Sequence, residues 1–277
     1  MMTRHYKVAG HTFAVNGSNE LFEQMGNYEP FRCEGDEPLF TLTECSGVVP
    51  EYTEVFRLLK RLIYGHDDSG NDVFDYTSEE NTRTCLICSK DCREGRIIMT
   101  SRISKTVLNN SLMIMFTLAT AGKGTLLFHA AVVSQEGKGY LFLGISGTGK
   151  STHAQLWLEH IEGTELVNDD NPVVRDGVVY GSPWSGKTPC YRNVSVPIGG
   201  IVMLSQAPYN KIRRLKGIEA YVAVVESIGS KVWDNRIAES QHQTENDLVS
   251  TIPMWHLECL PDEGAARLCH DTITNIK

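Results

Sequence analysis

The sequence predicts an α/β fold of mixed, α+β character, and three observations carry that expectation. An apolar run, Tyr140–Leu143, feeds the glycine-rich string GISGTGKS at Gly144–Ser151 and then a helix-forming stretch. Short segments rich in β-formers, separated by polar glycine-bearing turns, fill residues 1–104. Beyond them strands alternate with helices, so residues 105–277 read as a second domain, a mixed sheet with flanking helices. A chain of 277 residues buries about three quarters of its unfolded surface and can hold one or two domains.

Taken in order, Lys7–Val15, Pro38–Cys45, Asp72–Tyr76, Thr84–Ser89 and Arg96–Ser101 read as strands of an antiparallel β-rich region, with a helix at Glu51–Leu62. The uncharged stretch Thr106–Gly122 reads as a buried helix and not as a membrane span, because Asn109, Asn110 and Ser111 interrupt it. Leu126–Phe128 and Ala130–Val133 form a strand containing His129. A turn at Gln135–Gly139 joins it to Tyr140–Leu143. After the loop come a helix, Thr152–His160, and a short strand, Leu166–Val167, which runs into Asn168, Asp169 and Asp170. Gly199–Leu204 and Met254–Cys259 read as strands and Ile218–Glu226 as a helix. Pro261–Asp271 opens with proline and acids, as helix N-termini do.

The loop carries the chemistry. GISGTGKS fits the pattern GxxxxGK(S/T), in which glycines at 144, 147 and 149 permit positive φ and let backbone N–H groups converge on an anion at a helix N-terminus. The predicted phosphate-binding set is Gly144, Ser146, Gly147, Thr148, Gly149, Lys150, Ser151 and Thr152. Lys150 is expected on the β/γ-phosphates of ATP, Ser151 on Mg²⁺ and Thr152 on the α-phosphate. Asp169 follows Lys150 by 19 residues, one helix and one strand later, so Asp169 and Asp170 can face the same Mg²⁺ or serve as a base. His129 precedes Lys150 by 21 residues, across a hairpin that would set its imidazole beside the loop. No NKxD base-reading motif is present, which disfavours a GTPase. In GSPWSGK, Gly181–Lys187, the turn residues predict a mobile loop presenting Trp184 and Lys187. With Arg192 these could capture a substrate or neutralise a transferring phosphoryl group.

FHAAVV, GISGTGKST and NDD, in that order and spacing, resemble the HPr kinase/phosphorylase catalytic domain and its relatives, and GISGTGKST is similar to the phosphate loop of ATP-dependent phosphoenolpyruvate carboxykinase. The resemblance covers about residues 126–274. It implies a phosphoenolpyruvate carboxykinase/HPr kinase-like core, with His129, Lys150, Ser151, Asp169 and Asp170 in the active site. GSPWSGK is similar to a GxPWxGK string of HPr-kinase-like bacterial proteins, whereas PIGGIVML at Pro197–Leu204 stands where true HPr kinases carry a glycine- and arginine-containing signature. The implied activity is therefore ATP-dependent, Mg²⁺-assisted phosphoryl transfer to a hydroxyl of a small molecule or a peptide or protein serine. HPr itself is not the expected acceptor. Phosphorylase or hydrolase chemistry at the same site, or ATP sensing without turnover, are the alternatives, and relatives of this kind imply a possible homo-oligomer.

Net charge is −8 with no basic block, which argues against nucleic acid and anionic membrane surfaces as partners. MMTRHYK opens no basic-then-apolar leader, so the expected compartment is cytoplasmic and the eight cysteines are expected reduced. Cys85, Cys88 and Cys92 have a CxxCxxxC spacing that could supply Zn²⁺ thiolates. On a strand, however, Cys85 and Cys88 would point to opposite faces, and no fourth ligand is evident.

Overall fold

In the computed structural model, residues 1–58, 62–77, 83–99, 104–228 and 235–275 are described. The chain is of mixed α/β class and divides into two compact units, Met1–Ala119 and Thr120–Lys277, each built on a mixed sheet.

The first unit contains β1 (Met2–Val8), β2 (His11–Gly17), α1 (Asn19–Glu23), β3 (Arg32–Cys33), β4 (Thr41–Cys45), β5 (Thr53–Leu58), β6 (Leu62–His66), β7 (Asp72–Thr77), β8 (Arg83–Cys88), β9 (Glu94–Met99) and α2 (Lys105–Thr120). Its sheet order is β3-β1-β2-β4-β9-β8-β7-β6-β5, antiparallel except for the parallel pairs β2/β4 and β4/β9. The single strand expected over Lys7–Val15 is instead a hairpin, because Ala9 and Gly10 take left-handed backbone (φ 50° and 79°) and reverse the chain. The helix expected at Glu51–Leu62 is strand β5, and residues 59–61 of that stretch lie outside the described residues. Its apolar spacing suits a helix, but Thr53 and Val55 are β-branched and pairing with β6 satisfies the backbone. The strand expected at Arg96–Ser101 is described as β9 over Glu94–Met99, and residues 100–101 of that stretch lie outside the described residues. The helix expected to open the second domain belongs to the first unit, where the Phe116 ring packs against Phe13. Cys85 joins the buried cluster of Val73, Ile87 and Ile98. Among the described residues no group of three or more His, Cys, Asp or Glu side chains is arranged to hold a metal, the cysteine trio included.

The second unit contains β10 (Thr125–Leu127), β11 (Ala131–Gln135), β12 (Lys138–Leu143), α3 (Lys150–His160), β13 (Glu165–Asn168), β14 (Val173–Arg175), β15 (Val178–Tyr180), β16 (Ser195–Gln206), β17 (Lys211–Leu215), α4 (Ile218–Ser227), α5 (Asn235–Thr251), β18 (Met254–Cys259) and α6 (Glu263–Thr274). Its central order is β13-β11-β12-β16-β18-β17. The pairs β12/β16 and β16/β18 are parallel, while β11 is antiparallel to both of its neighbours. Alternate side chains of β11 and β12 enter two cores. Ala131, Val133, Tyr140 and Phe142 pack with Trp157 of α3 and Cys269 of α6, while Val132, Leu141 and Leu143 pack with Val224 of α4 and Leu248 of α5. Burial on both faces explains why β12 reads as a continuous apolar run. The β11/β12 hairpin closes through Glu136 and Gly137, both left-handed (φ 50° and 74°), with Gln135 opposite Lys138.

His153, on α3, is buried, and its Nε2 accepts a hydrogen bond from the Trp157 indole at 3.2 Å. Burial drives its pKa down to about 4 from the ordinary 6.5. Below pH 6.5 the unfolded chain therefore takes up this proton before the folded one does, and stability falls as pH drops from 6.5 toward 4. Urea unfolding at pH 7 and pH 5 is expected to show about 2 kcal/mol of loss from this residue. His153→Gln should flatten the dependence by that amount; an unchanged slope would remove His153 from the account.

Candidate functional site

Strand polarity gathers the site. Because β11 runs opposite to β12 and β13, the start of β11 lies at the same sheet edge as the ends of the other two. The β11/β12 register pairs Ala131 with Phe142, and extending it by two residues sets His129 opposite Gly144, the first residue of the loop. On the other side of β11, the Ala130 N–H donates to the Asp170 carbonyl at 2.9 Å. The expected hairpin and its turn are present. His129 itself lies between β10 and β11, with its N–H donated to the Ser227 carbonyl at 2.7 Å.

The loop has the backbone its glycines were expected to supply, with φ of 149°, 85° and 109° at Gly144, Gly147 and Gly149. Gly149 caps α3, which begins at Lys150. Ser146 and Gly147 are exposed at the tip and Thr148 is half-buried, its Oγ1 donating to the Ile145 carbonyl at 2.7 Å. Ser151 and Thr152 present exposed hydroxyls on the first helical turn. Lys150 is buried, and its Nζ donates to the Gly144 carbonyl at 3.0 Å and lies 3.5 Å from that of Ile145. Burial holds its pKa below the usual lysine range, and the Asp170 and Asp169 carboxylates pull it back up, which brings both acids into the electrostatic reach of the loop lysine.

The carboxylates sit on a turn built by Asn168, whose Oδ1 accepts from the Asp170 and Asn171 N–H groups, both at 2.9 Å. Asn168 Nδ2 donates to Ser182 Oγ at 3.1 Å, and Ser182 Oγ donates to the Asn171 carbonyl at 2.6 Å. Asp169 is buried and accepts from the Thr188 N–H on Oδ2 at 3.0 Å. Asp170 is half-exposed. Its Oδ1 lies 3.4 Å from His129 Nε2, and its Oδ2 accepts from Asn171 Nδ2 at 2.8 Å.

The GSPWSGK segment wraps this turn. A Cβ on Gly186 would sit 3.0 Å from both the Asp169 carbonyl and the Asp170 Cβ, an approach that glycine permits. Trp184, expected on a mobile exposed turn, is 3 % exposed. Its carbonyl accepts from Asn171 and its N–H donates to Ser182 Oγ, so the indole leaves water and anchors the loop. Lys187 is exposed, as expected. Arg192, expected at a substrate, instead donates to the Leu166 carbonyl and pairs with Glu165, both at 2.7 Å, clasping β13.

Two contributors escaped the motif reading. Asn168 was visible only as part of NDD. Gln206, at the end of β16, donates to the Gly147 carbonyl at 3.2 Å, and nothing in its local sequence marks it. The donor set of two carboxylates and the Ser151 hydroxyl is hard oxygen. It fits Mg²⁺ shared with phosphate oxygens, as that ion is usually held, and not an all-protein cage. No helix among the described residues is long and apolar enough to cross a membrane.

No protein-family model and no curated protein matches this chain.

Proposed function

We propose that the second unit is an ATP-dependent phosphotransferase of the HPr kinase/phosphorylase-like kind, with a phosphoenolpyruvate carboxykinase-like phosphate loop. It would move the γ-phosphoryl group to a hydroxyl of a small molecule or of a peptide or protein serine. The observation that carries this reading is convergence: the loop lysine, a carboxylate and an imidazole meet at one sheet edge, with Asp170 Oδ1 3.4 Å from His129 Nε2. The loop N–H groups and Lys150 bind and orient the phosphates; Asp169 and Ser151 would hold Mg²⁺, which leaves Asp170 for the acceptor. When bound, Mg²⁺ neutralises charge on the β- and γ-phosphates. The acceptor oxygen attacks phosphorus, the bond to the bridging oxygen breaks, and ADP leaves. Asp170 takes the acceptor's proton, and His129, beside it, orients the carboxylate and stabilises its charge. This choice of base follows from exposure and from His129, since Asp169 is buried and already engaged by Thr188.

The assay is ADP formation from ATP·Mg by the pure chain, with and without hydroxyl acceptors that include free serine and serine-ending peptides. Acceptor-dependent ADP release with phosphate recovered on the acceptor is expected. Acceptor-independent release would point to hydrolysis, and none at all to a sensor. Lys187→Ala, at an exposed side chain, should raise the acceptor KM about tenfold without changing Tm; an unchanged KM would take Lys187 out of acceptor binding.

A further inference from the structure

The far end of α3 gathers polar groups that the loop chemistry does not use. The helix opens at Lys150 and closes at His160, so its C-terminal end lies a helix length from the phosphate loop. There a cavity of about 690 Å³ opens between residues 160–163, the turn that follows β11 and the second half of α6. Its volume is in the range of small-ligand sites. Acceptors dominate its walls. Glu136 and Glu162 are exposed and, among the described residues, have no ion-pair partner. The Arg267 guanidinium is engaged through Nε, which donates to Glu263 at 2.7 Å, and His270 Nδ1 lies 2.9 Å from Asp271 Oδ1. Gln135 supplies an observation independent of these charges. It lines the cavity, is 7 % exposed, and its Oε1 has no hydrogen-bond partner among the described residues. A buried acceptor without a donor is destabilising, and a guest carrying N–H groups removes that cost.

We propose that this cavity binds an aliphatic di- or polyamine, whose ammonium groups donate to Gln135 Oε1 and to the Glu136 and Glu162 carboxylates. The two acids stand on different elements, one on the hairpin turn and one beyond α3, so cationic groups joined by a methylene spacer meet both. Ile161, apolar and in the same wall, packs on the spacer. The negative end of the α3 dipole adds to the attraction, since cations are favoured at a helix C-terminus. An anion meets the opposite field. A bare divalent ion finds no cage there, because among the described residues no three His, Cys, Asp or Glu side chains are arranged to hold one.

Calorimetric titration of the full chain with spermidine tests this, in about 0.15 M salt so that distant charges are screened. One saturable site with a Kd below about 1 mM is expected, and no saturation overturns the proposal. Tetramethylammonium, which carries charge without N–H groups, should bind at least about tenfold more weakly; equal binding overturns donation to Gln135. Millimolar Mg²⁺ should leave the spermidine Kd within about twofold, and competitive displacement overturns an amine site in favour of a metal. Glu162→Gln, at an exposed position, should weaken spermidine at least about fivefold. Gln135→Met, which keeps the length of the side chain and removes its oxygen, should weaken it at least about threefold. Unchanged affinity in either folded variant overturns the proposal, and Glu162→Gln keeps the test open should Gln135→Met not fold. Backbone amide shifts of the unaltered chain map the guest without any substitution. Perturbation is expected at residues 135–136, 160–163 and 267–271, and perturbation confined to the phosphate loop or to Asp169 and Asp170 overturns the site.

Discussion

Asp170→Asn should lower turnover by about 10³ while the Kd for ATP stays within about threefold, as measured by acceptor-dependent ADP release and by calorimetry. The two side chains have nearly the same shape, and an amide oxygen can still accept from Asn171 Nδ2, as the carboxylate does at 2.8 Å. What the amide cannot do is take a proton from an acceptor hydroxyl, the role its place 3.4 Å from His129 Nε2 gives the carboxylate. A base contributes about 10²–10⁴ in rate, which sets the size expected. Loss of turnover with binding retained separates an enzyme from a nucleotide sensor; turnover at the unaltered rate would sink the assignment of Asp170.

Asn168→Ala should cost about 3 kcal/mol of stability and lower the second unit's Tm by about 6–12 °C. The side chain is fully buried and is the hub of the turn. Its oxygen accepts two backbone N–H groups and its amide reaches Ser182. Truncation leaves buried polar groups without these partners and frees the turn that aims both carboxylates, so kcat should fall together with Tm. Differential scanning calorimetry beside the ADP assay checks the pairing. A stable variant with full activity would show that the acids are positioned by something else.

The loop, its left-handed glycines, the hairpin before it and the helix after it were all legible from residues, because each rests on local chemistry within a few positions. The carboxylate turn was legible as a pair of acids. Its dependence on Asn168 was not, since Asn favours turns in general and only the partner Ser182, 14 residues away, reveals the role. Trp184 and Arg192 were misplaced for a common reason. Loop residues in sequence look solvent-facing, and only tertiary packing shows a buried indole and a guanidinium tied to the main chain of β13. In the first unit, Glu51–Leu62 has helical apolar spacing, but pairing with the next strand outweighs a weak local preference. The hairpin β14/β15 turns at Asp176–Gly177, both left-handed, a signal that the motif reading passed over.

The two-residue reversal at Glu136–Gly137 acts as a ruler for a site that lies at the opposite end of its strands. It fixes which residue of β11 stands across from each residue of β12, and so where the imidazole falls relative to the loop's first glycine. One residue inserted there would slide His129 along the sheet and exchange the two faces of β11, turning Val132 out of the core it shares with Leu141. A change at a distant surface bend would thus mis-set the imidazole, and strain the Ala130–Asp170 link, while the loop and the acidic turn kept every residue of their sequence.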